Sequence, residues 1–148
     1  MKKLLTFAFA LFTTFAFAQT FVSTTPENKK VVLEEFTGIS CTYCPDGHVI
    51  GQGLHDANPN DVFLINIHAG GYANPTGPGT DFRTSFGSAI DGQSGLAGYP
   101  AGTVNRHNFP GLEQGSAGAT AMGRANWATA ATQTLTEPSP VNLSLIHI

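Results

Sequence analysis

Two short apolar runs separated by a mixed segment organise the front of the chain. Val31–Phe36 is apolar enough to predict a strand buried on most of its length, and Val62–Ile67, apolar at all but Asn66, predicts the clearest strand in the chain. Between them, a helix is expected from about Cys41 to Ala57, with Val49, Ile50, Leu54 and Ala57 turned to a core, and Asn58-Pro59 ends it. Gly47, Gly51 and Gly53 each cost such a helix about 1 kcal/mol relative to alanine, so packing must hold it. Strand, helix, strand at this spacing is a βαβ unit with a parallel pair and a right-handed crossover. Chemistry in such sheets gathers at the carboxyl ends of the strands. The cysteines follow the first strand and His68 the second, so both belong to one rim.

The pattern loosens after His68. Residues 69–98 hold eight glycines together with Pro75 and Pro78. A thirty-residue insertion of this kind is usually functional or mobile. Inside it, Thr80-Asp81 is expected to cap a short helix with Phe82, Phe86 and Ile90 on one face, packing the insertion onto the domain. Gly98–Gly102 leads to a third strand over Thr103–His107, and Leu112–Thr120 reads as irregular. A final helix is expected from Ala121 to Leu135, burying Trp127 and Leu135, with no clear last hairpin strand before it. The fold class is α/β, and the elements divide the chain into three stretches: 1–18, a domain over 19–136, and 137–148. Glu137–Pro140 is a linker by composition, and Val141–Leu145 alternates like the start of a further, truncated segment.

Lys2 and Lys3 precede the uncharged stretch Leu4–Ala18, whose end carries the small residues Ala16 and Ala18. That is a secretory signal, too short to span a bilayer comfortably, with cleavage expected after Ala18. The protein is therefore expected to be exported, to periplasm, outer membrane or cell surface. Removing the signal leaves five basic against ten acidic residues, a net of about −5. Nucleic acid is disfavoured as a partner, as is an anionic lipid surface.

The chain has two cysteines, Cys41 and Cys44, three positions apart. In an exported chain this spacing suits a redox pair rather than a staple closing a long loop. A helix start following a strand favours a thiolate through its unsatisfied N–H groups and partial positive charge. Cys41 is then the nucleophile and Cys44, one turn on, the resolving thiol. The rival use of the pair is metal binding, with His68 as the third ligand of a copper(I) site. His48 falls one helical turn after Cys44, as an imidazolium that stabilises a thiolate or as an ordinary surface histidine.

Strand, C-x-x-C on a helix, strand, and a later Gly98-Tyr99-Pro100 before another strand resemble the thioredoxin superfamily. The blocks Val32–Gly38, Cys41–His48, Val62–His68 and Gly98–Arg106 are more specifically similar to the outer-membrane-protein-28-related family of bacterial surface proteins. That likeness covers about residues 28–145. It implies a thioredoxin-like sandwich with a central mixed sheet and a glycine-rich insertion ahead of a cis-proline loop. Pro100 is the matching cis-proline, and Tyr99 would meet substrate through its backbone, alongside Thr42 and Tyr43 between the cysteines. Glu35, six residues before Cys41, matches the buried acid that passes protons to the resolving cysteine. Strand alternation places Val31, Leu33 and Glu35 on one face, leaving Glu34 as the solvent-facing carboxylate. The implied activity is thiol–disulfide exchange with client proteins, without a cofactor. The alternatives are copper(I) handling and a non-enzymatic surface or outer-membrane assembly module with a structural disulfide. Thr42-Tyr43 matches neither reducing nor strongly oxidising members of the superfamily, so the redox direction stays open.

Overall fold

The computed structural model describes residues 25–141, so the expected signal segment and the residues beyond Val141 lie outside it. Asn28–Glu137 form one compact unit, and the flanking residues 25–27 and 138–141 belong to another. Within the latter, the Ser139 N–H donates to the Glu27 carbonyl at 3.0 Å.

The main unit is an α/β fold with a four-stranded mixed sheet and three α-helices. In chain order these are β1 (Val31–Thr37), α1 (Cys44–Ala57), β2 (Val62–His68), α2 (Ser85–Ser94), β3 (Ala101–Val104), β4 (Met122–Gly123) and α3 (Trp127–Thr136). Single 3-10 turns lie at Gly71–Ala73 and Arg124–Asn126. The sheet order is β2-β1-β3-β4. β1 runs parallel to β2, with Thr37 opposite His68, and antiparallel to β3, with Glu35 opposite Gly102 and Glu34 opposite Thr103.

The central strand explains its own composition. β1 is hydrogen-bonded on both edges and covered on both faces, so nearly every residue in it is buried. Val31 and Leu33 join Val62, Val104, Met122, Trp127, Ala130 and Ala131 in one core cluster, with Ile50 and Leu54 of α1 packed against it. Phe36 belongs to a second cluster with Ile67, Ala69, Ala101 and Ala121, onto which Ile90 of α2 packs. Helices α1 and α3 thus cover the Glu35 face and α2 the other.

Several expectations need correction. Val49, 71 % exposed, and Ala57 face solvent, so of the four residues expected to turn α1 to the core only Ile50 and Leu54 do. Glu34 is not solvent-facing: only 5 % exposed, it accepts two hydrogen bonds from Arg106, at 2.7 Å and 2.5 Å. Those bonds satisfy a carboxylate that would otherwise be costly to bury. The third strand ends at Val104, because Asn105 and Arg106 take positive φ angles of 52° and 49°. Asn105 still extends the ladder through its side chain, accepting from the Val32 N–H at 2.7 Å and donating to the Lys30 carbonyl at 2.8 Å. A last hairpin strand does exist: β4 pairs with β3 over two residues, and α3 begins only at Trp127. Finally, α2 is capped by Thr84, whose hydroxyl accepts from the Gly87 N–H, rather than by Thr80-Asp81. Phe82 therefore precedes α2, and Phe86 is 80 % exposed, leaving Ile90 to do the packing.

Candidate functional site

The turn leaving β1 carries Cys41. Its N–H donates to the Gly38 carbonyl at 3.1 Å, and the Ser40 N–H donates to the Tyr72 carbonyl at 3.0 Å. Gly38 is required here, since a Cβ would lie 2.3 Å from the Tyr72 carbonyl carbon. The insertion after β2 thus presses its first turn against the loop that bears the nucleophile candidate. Cys41 and Cys44 form a disulfide with their Cα atoms 5.4 Å apart. Cys44 opens α1 and Pro45 follows it, a favoured place for proline because the first helical N–H groups lack intrahelical partners. The helix therefore starts about one turn later than the expected Cys41. Cys41 is 8 % exposed against 1 % for Cys44, so Cys41 is the more accessible residue of the pair. Thr42 and Tyr43 are turned to solvent.

Glu35 lies buried beneath α1 at 3 % exposure, and burial pushes its carboxyl up to about 7. Gly47 and Gly51, one turn apart on α1, make the room: a Cβ on Gly47 would stand 2.4 Å from Glu35 Oε1. The same Cβ would lie 3.2 Å from Pro100 Cβ and from Trp127 Cη2, so Glu35, Pro100 and Trp127 converge on the first turn of the cysteine-bearing helix. These glycines weaken α1 as an isolated helix, yet they are what allows it to sit down on a carboxyl group.

His48 supplies the Glu35 partner. Its Nδ1 is 3.1 Å from Glu35 Oε2, and its Nε2 is 3.3 Å from Thr37 Oγ1. Glu35 Oε1 has no hydrogen-bond partner. His68 ends β2 opposite Thr37, with its ring 5.2 Å from that of Phe82 and its buried Nδ1 unpartnered. Burial first, then the nearby His48, holds the His68 pKa below the usual imidazole range. The Tyr99–Pro100 peptide is cis. The Tyr99 side chain turns away from solvent, donating from its hydroxyl to Asp91 Oδ1 at 2.5 Å and meeting Tyr72 edge-on at 5.8 Å. Burial, reinforced by Asp91, raises the Tyr99 pKa well above the usual phenol range.

The structure thus brings Cys41, Cys44, Glu35 and Pro100 to one end of the sheet, with His68 at the same rim. Among the described residues, with Cys41 and Cys44 joined as a disulfide, no group of three or more His, Cys, Asp or Glu side chains is placed to hold a metal ion. Sequence reasoning missed the Glu35–His48–Thr37 chain. The signal for it was the coincidence of two spacings, His48 four after Cys44 and Thr37 two after Glu35 on the same strand face. It also missed the use of Arg106, which the burial of Glu34 demands. Comparison with protein-family models, with curated proteins and with solved structures finds no match for this chain.

Proposed function

We propose that this domain is a thioredoxin-like thiol–disulfide oxidoreductase working outside the cytoplasm on client protein thiols or disulfides. The observation that carries the reading is a C-x-x-C disulfide at a helix start with an unpaired carboxyl oxygen buried beneath that helix. A disulfide that only braced the turn would have no use for a buried acid of raised pKa. Here the acid is a proton acceptor for a thiol that must ionise before it can attack. The reduced Cys41 thiolate attacks a client disulfide, forming a mixed disulfide and expelling one client thiolate. Cys44, deprotonated in turn, attacks Cys41 Sγ, closing the Cys41–Cys44 bond and releasing the second client thiolate. The opposite redox direction runs these steps in reverse. Ile39, Tyr43 and Tyr72 expose apolar surface beside the dithiol loop, and a client chain would rest there.

Two measurements test the reading. Cys44→Ser should trap a mixed disulfide between Cys41 and a glutathione or protein partner, while Cys41→Ser forms none. A wild-type disulfide that resists exchange and has a potential below about −300 mV would instead be a structural bond. The extracytoplasmic location rests on the Lys2–Ala18 pattern, and no described helix is long and apolar enough to cross a membrane. Mass analysis of the exported protein should begin at Gln19. A species retaining Phe7–Phe17 would remove the export reading.

A further inference from the structure

Glu35 divides its two carboxyl oxygens between different neighbours. Oε1 faces the first turn of α1 at Gly47 and has no hydrogen-bond partner, whereas Oε2 is held by His48 Nδ1 at 3.1 Å. The His48 side chain is 39 % exposed and that of Glu35 only 4 %, so the imidazole spans from the buried acid to bulk water. Thr37 Oγ1, 3.3 Å from Nε2, fixes the ring at its other nitrogen. A buried acid that accepts a proton every cycle needs an exit, and this ring provides one.

We propose that His48 is the proton port of the site, carrying the proton of Cys44 from Glu35 to solvent. The inference rests on the oxidoreductase reading above. The resting form is a neutral Glu35 donating from Oε2 to the Nδ1 lone pair of His48, whose Nε2–H donates to Thr37. As the Cys44 S–H ionises, its proton passes to Oε1 and the Oε2 proton passes to Nδ1. Glu35 stays neutral throughout, and His48 becomes an imidazolium that loses its Nε2 proton to water. The Cys44 thiolate then attacks Cys41 Sγ, forming one S–S bond and breaking the bond to the client. The departing client thiolate takes a proton from water. In the reverse direction the same ring delivers the proton to Cys44.

The charged and titratable surroundings are simple. α1 contributes His48 and the Cys44 thiol, and the end of β2 contributes His68. β3 and α3 present Gly102 and Trp127, and the loop before β3 presents Pro100, none of them charged. Arg124 and Asp46 pair with each other at the exposed side of the first turn of α1.

The test uses the full chain and the mixed disulfide that Cys41 makes with glutathione. In His48→Gln, closure of the Cys41–Cys44 bond should slow by about tenfold or more, the lower part of the range for lost acid–base help. Formation of the mixed disulfide, which needs only the Cys41 thiolate, should change by less than about twofold. His48→Ala should be equally slow and regain its rate as imidazole is added, in proportion to the free-base concentration. Unchanged closure in His48→Gln overturns the port. A slow His48→Ala that imidazole does not restore also overturns it, since the ring would then only support the fold. If the wild type forms no mixed disulfide at all, the oxidoreductase reading itself fails, and the port with it.

Discussion

Replacing Trp127 by alanine is expected to lower the unfolding free energy of the domain by about 3–5 kcal/mol, the usual cost of removing a fully buried large aromatic. The indole is wholly buried and wedged between two glycines on different elements. A Cβ on Gly102 of β3 would sit 2.9 Å from its Nε1, and one on Gly47 of α1 would sit 3.2 Å from its Cη2. Gly47 and Gly102 bring no side chain of their own into the space the ring would leave, and the rest of its surroundings are core residues such as Leu33, Val104 and Met122. The substitution also strips the Met122 carbonyl of the hydrogen bond that Nε1 donates at 3.2 Å. Against a typical total of about 5–15 kcal/mol this is a large fraction, and at about 4 °C per kcal/mol it lowers Tm by more than 10 °C. Urea unfolding of the wild type and Trp127→Ala measures it. A loss under about 1 kcal/mol would mean that the indole does not hold α1 to β3.

The second expectation concerns pH. Glu35 titrates at about 7 in the folded protein against an ordinary 4.5, so between those values the native state holds a proton that the unfolded chain has released. Stability contributed by the neutral acid is complete below pH 4.5 and is lost as pH rises through 7. At about 1.4 kcal/mol per unit the ceiling is near 3 kcal/mol. His48 admits water to one side of the pair, which brings the expected loss to roughly 2 kcal/mol. Glu35→Gln cannot ionise and should abolish this slope, leaving the variant more stable than wild type by roughly 2 kcal/mol above neutrality. Denaturant midpoints at pH 5 and pH 8.5 decide it, and parallel profiles for the two proteins would contradict a buried, neutral Glu35. The same variant should close its disulfide slowly, so stability and turnover move in opposite directions, as expected where a site holds an unfavourable group for its chemistry.

The parts of this fold that could be read beforehand are those whose burial is settled by local pattern. Val31–Phe36 is buried because β1 lies between two strands, and Val62–Ile67 pairs with it in parallel as expected, although β2 is an edge strand that leaves Ile65 47 % exposed. The C-x-x-C at the head of α1 was equally plain, as was the approach of a later segment to it. What could not be read depends on distant partners. Glu34 looks like a surface residue until Arg106 is brought across from beyond β3. Met122-Gly123 is too short to show a period, and only its pairing with Ala101-Gly102 makes it a strand. Phe82 and Phe86 fit a helical face on paper, but Thr84 makes the better cap and starts the helix between them. Gly47 scored as a defect in α1 because propensity takes no account of a carboxyl beneath the helix.

The position of β1 between a parallel neighbour and an antiparallel one divides the site by chain order. Every group that the proposed exchange would use lies on the β1–α1–β2 half: both sulfurs, Glu35, His48 and Thr37. Pro100, Gly102 and Trp127, which exclude water from Glu35, arrive from the far end of the chain and must close a long loop to reach it. The first half alone would carry a dithiol over an ordinary, hydrated carboxylate. The reactivity of the pair is therefore under the control of a segment that contributes no reacting atom, and any variation in how β3 and α3 dock retunes the acid while leaving the cysteines untouched.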